Sequence, residues 1–302
     1  MQKALASREL LASLGCAYAG VVWGLFWLPL RGLSGLGISP SWASILFFLA
    51  PAILCLPLAF WRAGPLMRMG WQAHMTCAIA IFSMVLYAEA VLRTEVIRAI
   101  LVFYLTPLWS TLLGRLLLGE TITTARWLSM ALAFAGLLVM FGEGGSIGLP
   151  HNVGDWMGLG AGMIWAYAAV RLRRSHDKDP IDMSLGFTLW GVPAALLFVL
   201  SPNMWAEMPD MAQITPALPW LLPFAAFIML PGYFTSMYGA RHLSPGLVGL
   251  LFMTEIVVGT LTAAIWAGEP MGMREWAGVT LIMGAGLLES LWSLKKSRAA
   301  LP

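Results

Sequence analysis

Glu255 lies near the middle of an otherwise uncharged run from Ser244 to Ala267, deeper in apolar sequence than any other acid of the chain. A carboxylate at the centre of a bilayer costs roughly 2.5–3.5 kcal/mol even on the lenient insertion scale, so it must face a partner or a watery cavity. Such a group can hold a cationic solute or carry a proton for coupled transport; its plainer use is as a protonated or Trp-bonded strut between two helices. Aromatic residues form a second set. Trp23, Trp27, Tyr104, Trp109, Trp165, Tyr167 and Trp190 fall inside apolar runs, not only at their ends. An indole at such depth can stack on a planar or cationic solute and donate its N–H, or can simply pack beside Gly20 and Gly24, or Gly158 and Gly162. Trp23, Tyr104, Trp109, Trp165 and Glu255 are the expected solute contacts. A third set, Glu89, Arg93, Glu95 and Arg98, straddles one junction between two runs. Glu89 with Arg93, and Glu95 with Arg98, stand about one helical turn apart and can pair, as a structural ion network at an outer mouth or as a gate that breaks on opening.

Other chemistries find no footing. No Gly-Lys dipeptide exists to build a phosphate-cradling loop. Gly144-Gly145-Ser146-Ile147-Gly148 fits the Gly-x-Ser-x-Gly pattern of a hydrolase, but lies in a glycine-rich loop, and that motif has meaning only on a strand-turn-helix elbow. His74, His151, His176 and His242 have no ligand spacing, and Cys16, Cys55 and Cys77 sit far apart in apolar runs, reading as small hydrophobes. No enzyme, cofactor, metal or nucleic-acid partner is expected.

The elements that must position these residues follow from composition. The chain is 59% hydrophobic and 11% charged, with mean hydropathy +0.79, against roughly 25% charged residues in soluble domains. The runs predict an all-α integral membrane protein with spans near Leu10–Leu30, Pro40–Trp61, Trp71–Leu92, Glu95–Leu118, Arg126–Phe141, Asp155–Arg171, Asp182–Leu200, Pro216–Gly239, Ser244–Ala267 and Met273–Trp292. A signal peptide ending near Ala17-Tyr18-Ala19 would cut the first run in two, so that run is read as a retained span. Two halves echo one another. Leu105-Thr106-Pro107-Leu108, Gly119-Glu120 and Trp127 answer Met253-Thr254-Glu255-Ile256, Gly268-Glu269 and Trp276, while Gly20–Gly24 answers Gly162–Ala166. Two five-helix repeats, 10–142 and 155–292, must then enter the bilayer from opposite sides, giving ten transmembrane helices in one domain, 1–302. At the same repeat position one half keeps Pro107 and the other Glu255. Glu120 and Glu269, each following a glycine at a helix exit, read as structural acids near the start of the next helix. Fourteen of the eighteen Lys and Arg fall on the loops that share a side with the N-terminus, which places both termini in the cytoplasm.

Tyr104-Leu105-Thr106-Pro107-Leu108-Trp109-Ser110, Leu118-Gly119-Glu120-Thr121, Trp127 and Gly136-Leu137-Leu138-Val139-Met140, together with Trp23 and Trp165, resemble the EamA family of the drug/metabolite transporter superfamily over nearly the whole chain. Within it, Trp23 ahead of Leu30-Arg31-Gly32-Leu33-Ser34 and the Phe103–Pro107 run resemble the bacterial aromatic amino acid exporters. The resemblance implies a ten-helix inverted-repeat carrier in a bacterial-type inner membrane, often an exporter of amino acids or other small metabolites. Its partners would be the lipid bilayer and a small solute, with the proton as a candidate coupling ion. A passive channel and a non-transporting membrane scaffold are the alternatives.

Overall fold

A computed structural model describes residues 2–118, 124–141, 150–175, 177–200, 205–243 and 245–299. Glu120 and the Gly144–Gly148 motif lie outside them. Among the described residues the chain is helical with no strand: α1 (Gln2–Gly24), α2 (Trp27–Gly35), α3 (Pro40–Trp61), α4 (Ala63–Arg68), α5 (Trp71–Arg93), α6 (Val96–Phe103), α7 (Thr106–Leu118), α8 (Thr124–Phe141), α9 (Val153–Arg174), α10 (Pro180–Leu196), α11 (Met211–His242), α12 (Pro245–Thr262) and α13 (Met273–Ala299). Among the described residues six stretches are long and apolar enough to cross a membrane: Arg8–Gly35, Pro40–Trp61, Trp71–Arg93, Pro180–Val199, Met211–His242 and Leu247–Ala267. Helices suit lipid because every backbone N–H finds its acceptor within the segment. Leu10, Leu14, Phe60, Phe134, Phe227 and Ile265 are apolar yet exposed, as side chains facing acyl chains would be.

Two expected spans are not continuous. The run 10–30 turns at Leu25–Phe26, where the Phe26 amide bonds to the Trp23 carbonyl and that of Leu28 to the Leu25 carbonyl. The run 95–118 breaks between α6 and α7 because Pro107 has no N–H to give to the carbonyl of Phe103, four residues back. The Thr106 hydroxyl takes that carbonyl instead, at 2.7 Å. Helix α11 carries a π turn at Ala225–Met229 between Pro223 and Pro231, and α12 ends in another at Ala263–Ala267. Gly268 closes α12 in the left-handed conformation, φ +66°, as a glycine after a helix is suited to do.

Packing is set by small residues where helices cross. Helix α1 lies on α11 and α12, α9 on α5 and α6, α10 on α3 and α5, and α8 on α13. Gly24 faces the Glu255 carbonyl and the Gly259 amide, so closely that a Cβ there would come within 2.9 Å of both. In the same way a Cβ on Gly162 would lie 2.6 Å from the Phe103 carbonyl, the one exposed by the Pro107 break. Between these crossings the core is aromatic: Trp23, Phe26, Phe47, Phe48, Tyr87, Phe103, Phe187 and Tyr233 are all buried.

Candidate solute site and outer closure

Glu255 stands on α12 opposite the α6–α7 break and is 7% exposed. The Tyr104 hydroxyl, at that break, donates to its Oε2 at 2.7 Å and lies 3.2 Å from the Phe252 carbonyl. The acid is therefore held by a hydroxyl, a group that stabilises a carboxylate and can equally accept from a carboxylic acid. From Tyr104 a chain of rings leads inward. Tyr104 meets Phe103 at 5.8 Å, Phe103 meets Tyr87 at 4.8 Å, Tyr87 stacks on Phe26 at 5.7 Å, and Phe26 meets Trp23 at 5.5 Å. Trp23 stacks on Tyr233, centroids 5.3 Å apart and planes at 21°, and donates its indole N–H to the Ser236 hydroxyl at 3.1 Å. Phe187 closes the group edge-on to Tyr233 at 5.1 Å. The Tyr233 hydroxyl is buried without a hydrogen-bond partner among the described residues. An unmet buried hydroxyl costs about 1–3 kcal/mol, so this is where a polar group of a solute would be welcome.

The structure thus brings Trp23, Tyr104 and Glu255 into one aromatic network and sets the other two expected contacts elsewhere. Trp109, with its indole N–H buried and without a partner among the described residues, lines an almost wholly apolar cavity of about 770 Å³ together with Phe82, Met163, Tyr167, Trp190 and Leu197. Leu116, Met163 and Leu197 are exposed on that cavity's wall, which marks it as a groove on the lipid-facing side. Trp165 is half-buried against the core. It makes no ring contact with the Trp23–Tyr104 network among the described residues. Sequence reasoning missed Tyr87, Phe187, Tyr233 and Ser236; alternation within apolar runs does not separate a ring that faces a site from one that faces lipid.

At the far end of α5, Glu89 is fully buried and bonds Arg93 and the Ser41 hydroxyl, the latter at 3.2 Å, while Arg93 also reaches Ser41 at 2.9 Å. The expected pairing of Glu95 with Arg98 is not what forms. Arg98 points across to Asp155 on α9, 2.9 Å away, while Glu95, the residue just ahead of α6, makes no side-chain cap bond and is exposed. Asp155, read from sequence only as a helix start, is fully buried: its carboxylate accepts from Thr94 at 2.7 Å and from the His151 amide at 3.0 Å. It therefore ties α9 to the α5–α6 turn. At the opposite end Arg62 makes a two-pronged contact to Asp182, 2.7 and 3.0 Å, and a third bond to Asp179 at 3.0 Å, joining α3 to α10.

Glu269 corrects a second expectation. Its carboxylate does not serve the helix that follows it, where Glu275 accepts from the Gly272 amide at 2.8 Å. It reaches the first turn of α6 in the other half and accepts the amides of Val96 at 2.6 Å and Ile97 at 2.9 Å, two of the donors that a helix start leaves open. Burial pushes the Glu269 carboxyl above its ordinary value, against the pull of the Ile97 and Val96 amides and of the Arg31 charge. The folded chain then holds this proton more readily than the unfolded chain. The contribution to stability grows on acidification from above the raised value down to the ordinary glutamate range, and is lost as pH rises through that window. Melting temperatures of Glu269→Gln between about pH 4 and 7 are expected to lack this slope, whereas parent-like curves would show that another group titrates.

The EamA-like transporter family matches residues 10–142 and again 152–290. An inner membrane transporter of Escherichia coli, YedA, is 25% identical over 94% of this chain and 92% of its own length. The biotin transporter of Escherichia coli is 28% identical over 81% of this chain and 80% of its own, and the chloramphenicol-sensitive protein RarD of Pseudomonas aeruginosa is 26% identical over 65% and 62%. A protein crystal structure superimposes with a TM-score of 0.62 at 19% identity, over 94% of this chain and 98% of the other, which shows a common fold. With helices that can span a membrane and a family match in each half, the chain belongs to the EamA-like transporters, membrane proteins that move small solutes.

Proposed function

We propose that this chain is a secondary carrier that exports a small zwitterionic or cationic metabolite across a bacterial-type inner membrane by alternating access. Its ten helices form two inverted five-helix repeats, 10–142 and 155–292, with both termini cytoplasmic. The observation that carries the reading is the buried Glu255 carboxylate, bonded to Tyr104 where a helix is broken. Broken helices beside an ionisable group are how carriers of this kind build mid-membrane sites. Trp23, Tyr104 and Glu255 hold the solute and a proton on Glu255 is the coupling ion, while Trp109 and Trp165, expected from sequence to touch the solute too, stand apart from this network. Glu89, Arg93, Glu95 and Arg98 belong to the outer gate. The inverted repeat is supported by a correspondence in packing: the glycine face of α1 lies against α12, and that of α9 against α6.

Relatives named for biotin and for chloramphenicol sensitivity point to different solutes, so the substrate class rests on this chain's own residues. An acid among aromatic rings, with no mid-membrane arginine, disfavours a polyanion and suits an aromatic amino acid or amine. The purified protein in proteoliposomes loaded with unlabelled phenylalanine or phenethylamine is expected to accelerate entry of the labelled compound, with saturation. Unsaturable flux without counterflow would make it a channel, and no flux of either would overturn the carrier reading for this solute class.

A further inference from the structure

A second cavity, of about 560 Å³, opens at the α5–α6 end, lined by Trp27, Arg31, Thr94, Glu95, Trp266 and Glu269 among others. It lies apart from the Trp23–Tyr233 stack, and its size is within the range of small-molecule sites. Both signs of charge line it, and most of that charge is already committed. Arg93 is held by Glu89 and Ser41, and Glu269 by the amides of Val96 and Ile97. Arg31 gives one terminal N–H to the Thr94 carbonyl at 2.6 Å, while its Nε is buried and has no acceptor among the described residues. Glu95 makes no cap bond and takes part in no ion pair among them. What remains open is the terminal edge of the Arg31 guanidinium, whose only bond among the described residues is the one to Thr94, and the Glu95 carboxylate, between two indoles. Trp27 is fixed by its N–H bond to Thr262 at 3.1 Å, and Trp266 is 62% exposed.

We infer that this cavity is an outer docking site for a zwitterion of the amino-acid type with a flat apolar side chain. The solute carboxylate meets the terminal N–H groups of Arg31, the ammonium faces Glu95, and the side chain lies against Trp27 and Trp266. A guanidinium suits a planar carboxylate better than an ammonium would, because two parallel N–H groups match its two oxygens. A lone carboxylate would leave Glu95 unanswered, and a lone amine would leave Arg31 so. The site stands independently of Glu255, which serves the mid-membrane step.

Binding of three probes to the detergent-purified full chain tests it: L-phenylalanine, 3-phenylpropionate and phenethylamine, which carry both charges, only the acid, and only the base. Phenylalanine is expected to bind most tightly. Arg31→Gln should weaken phenylalanine and phenylpropionate roughly tenfold or more and leave phenethylamine unchanged, while Glu95→Gln should do the converse. Glu95 is exposed, so its variant folds even where Arg31→Gln does not, and Arg31→Lys then supplies the acid arm by keeping the charge without the planar edge. Phenylalanine binding that survives both the Arg31 and the Glu95 change, or that is lost only in Glu255→Gln, places the solute mid-membrane and overturns the outer site. So does the absence of binding by all three probes, while counterflow lost through Glu255→Gln judges the carrier reading separately.

Discussion

Glu255→Gln is expected to lower solute flux by roughly 10- to 100-fold, the factor that corresponds to losing a hydrogen bond or ion contact worth about 1.5–3 kcal/mol to a charged group. Gln fills the same volume and can still accept from Tyr104, so the helices stay packed and the effect reports charge, not shape. Tyr104→Phe removes only the 2.7 Å bond and should cause a smaller loss. If the two residues act as one unit, the double variant Glu255→Gln/Tyr104→Phe is expected to be no worse than Glu255→Gln alone, since a coupled pair is not additive. Comparing flux with and without an imposed proton gradient adds the decisive readout: the parent responds to the gradient, and Glu255→Gln does not. A variant that retains parental flux and its gradient response would leave Glu255 as a strut between α6 and α12. In that case the solute site would have to be sought along Trp23 and Tyr233.

How far these features were legible in the sequence depended on range. The apolar runs, the helix stop at Gly268 and the depth of Glu255 are local properties, carried by composition and by glycine's tolerance of positive φ. The breaks at Leu25–Phe26 and Tyr104–Leu105 were less visible, although Pro107 fixes the second one by removing an amide; the lesson is that a proline one turn after an aromatic residue inside a span marks a carbonyl looking for a partner. Long-range pairings were not legible. Arg98 meets Asp155 and not its near neighbour Glu95, and Glu269 caps a helix of the other half, because both partners are chosen by how the halves dock and no local rule encodes that. The aromatic network was half legible: Trp23 and Tyr104 stood out by depth, but Tyr87, Phe187 and Tyr233 gained their roles only once α5, α10 and α11 were packed together.

Gly24→Leu should abolish accumulation of folded protein, and Gly24→Ala should lower its melting temperature by several degrees. A single methyl at Gly24 would sit 2.8 Å from the Val258 Cβ and 2.9 Å from both the Glu255 carbonyl and the Gly259 amide. Two of those three atoms belong to backbone, so relief requires α1 and α12 to separate. Overpacking of this kind costs typically 1–3 kcal/mol, and separating two helices also opens the contacts on either side of the crossing. Gly35→Ala provides the control: a Cβ there meets nothing within 4 Å, and its φ is not positive, so little change is expected. The same substitution carries a functional consequence beyond stability. Gly24 touches the backbone of Glu255 itself, and a variant that folds with α1 displaced would move Trp23 and the carboxylate apart along a network held by ring contacts of 4.8 to 5.8 Å. For Gly24→Ala, flux is therefore expected to fall further than the loss of folded protein explains, measured per mole of correctly folded transporter. Flux that tracks the folded fraction alone would mean that the α1–α12 crossing supports the fold without setting the geometry of the site.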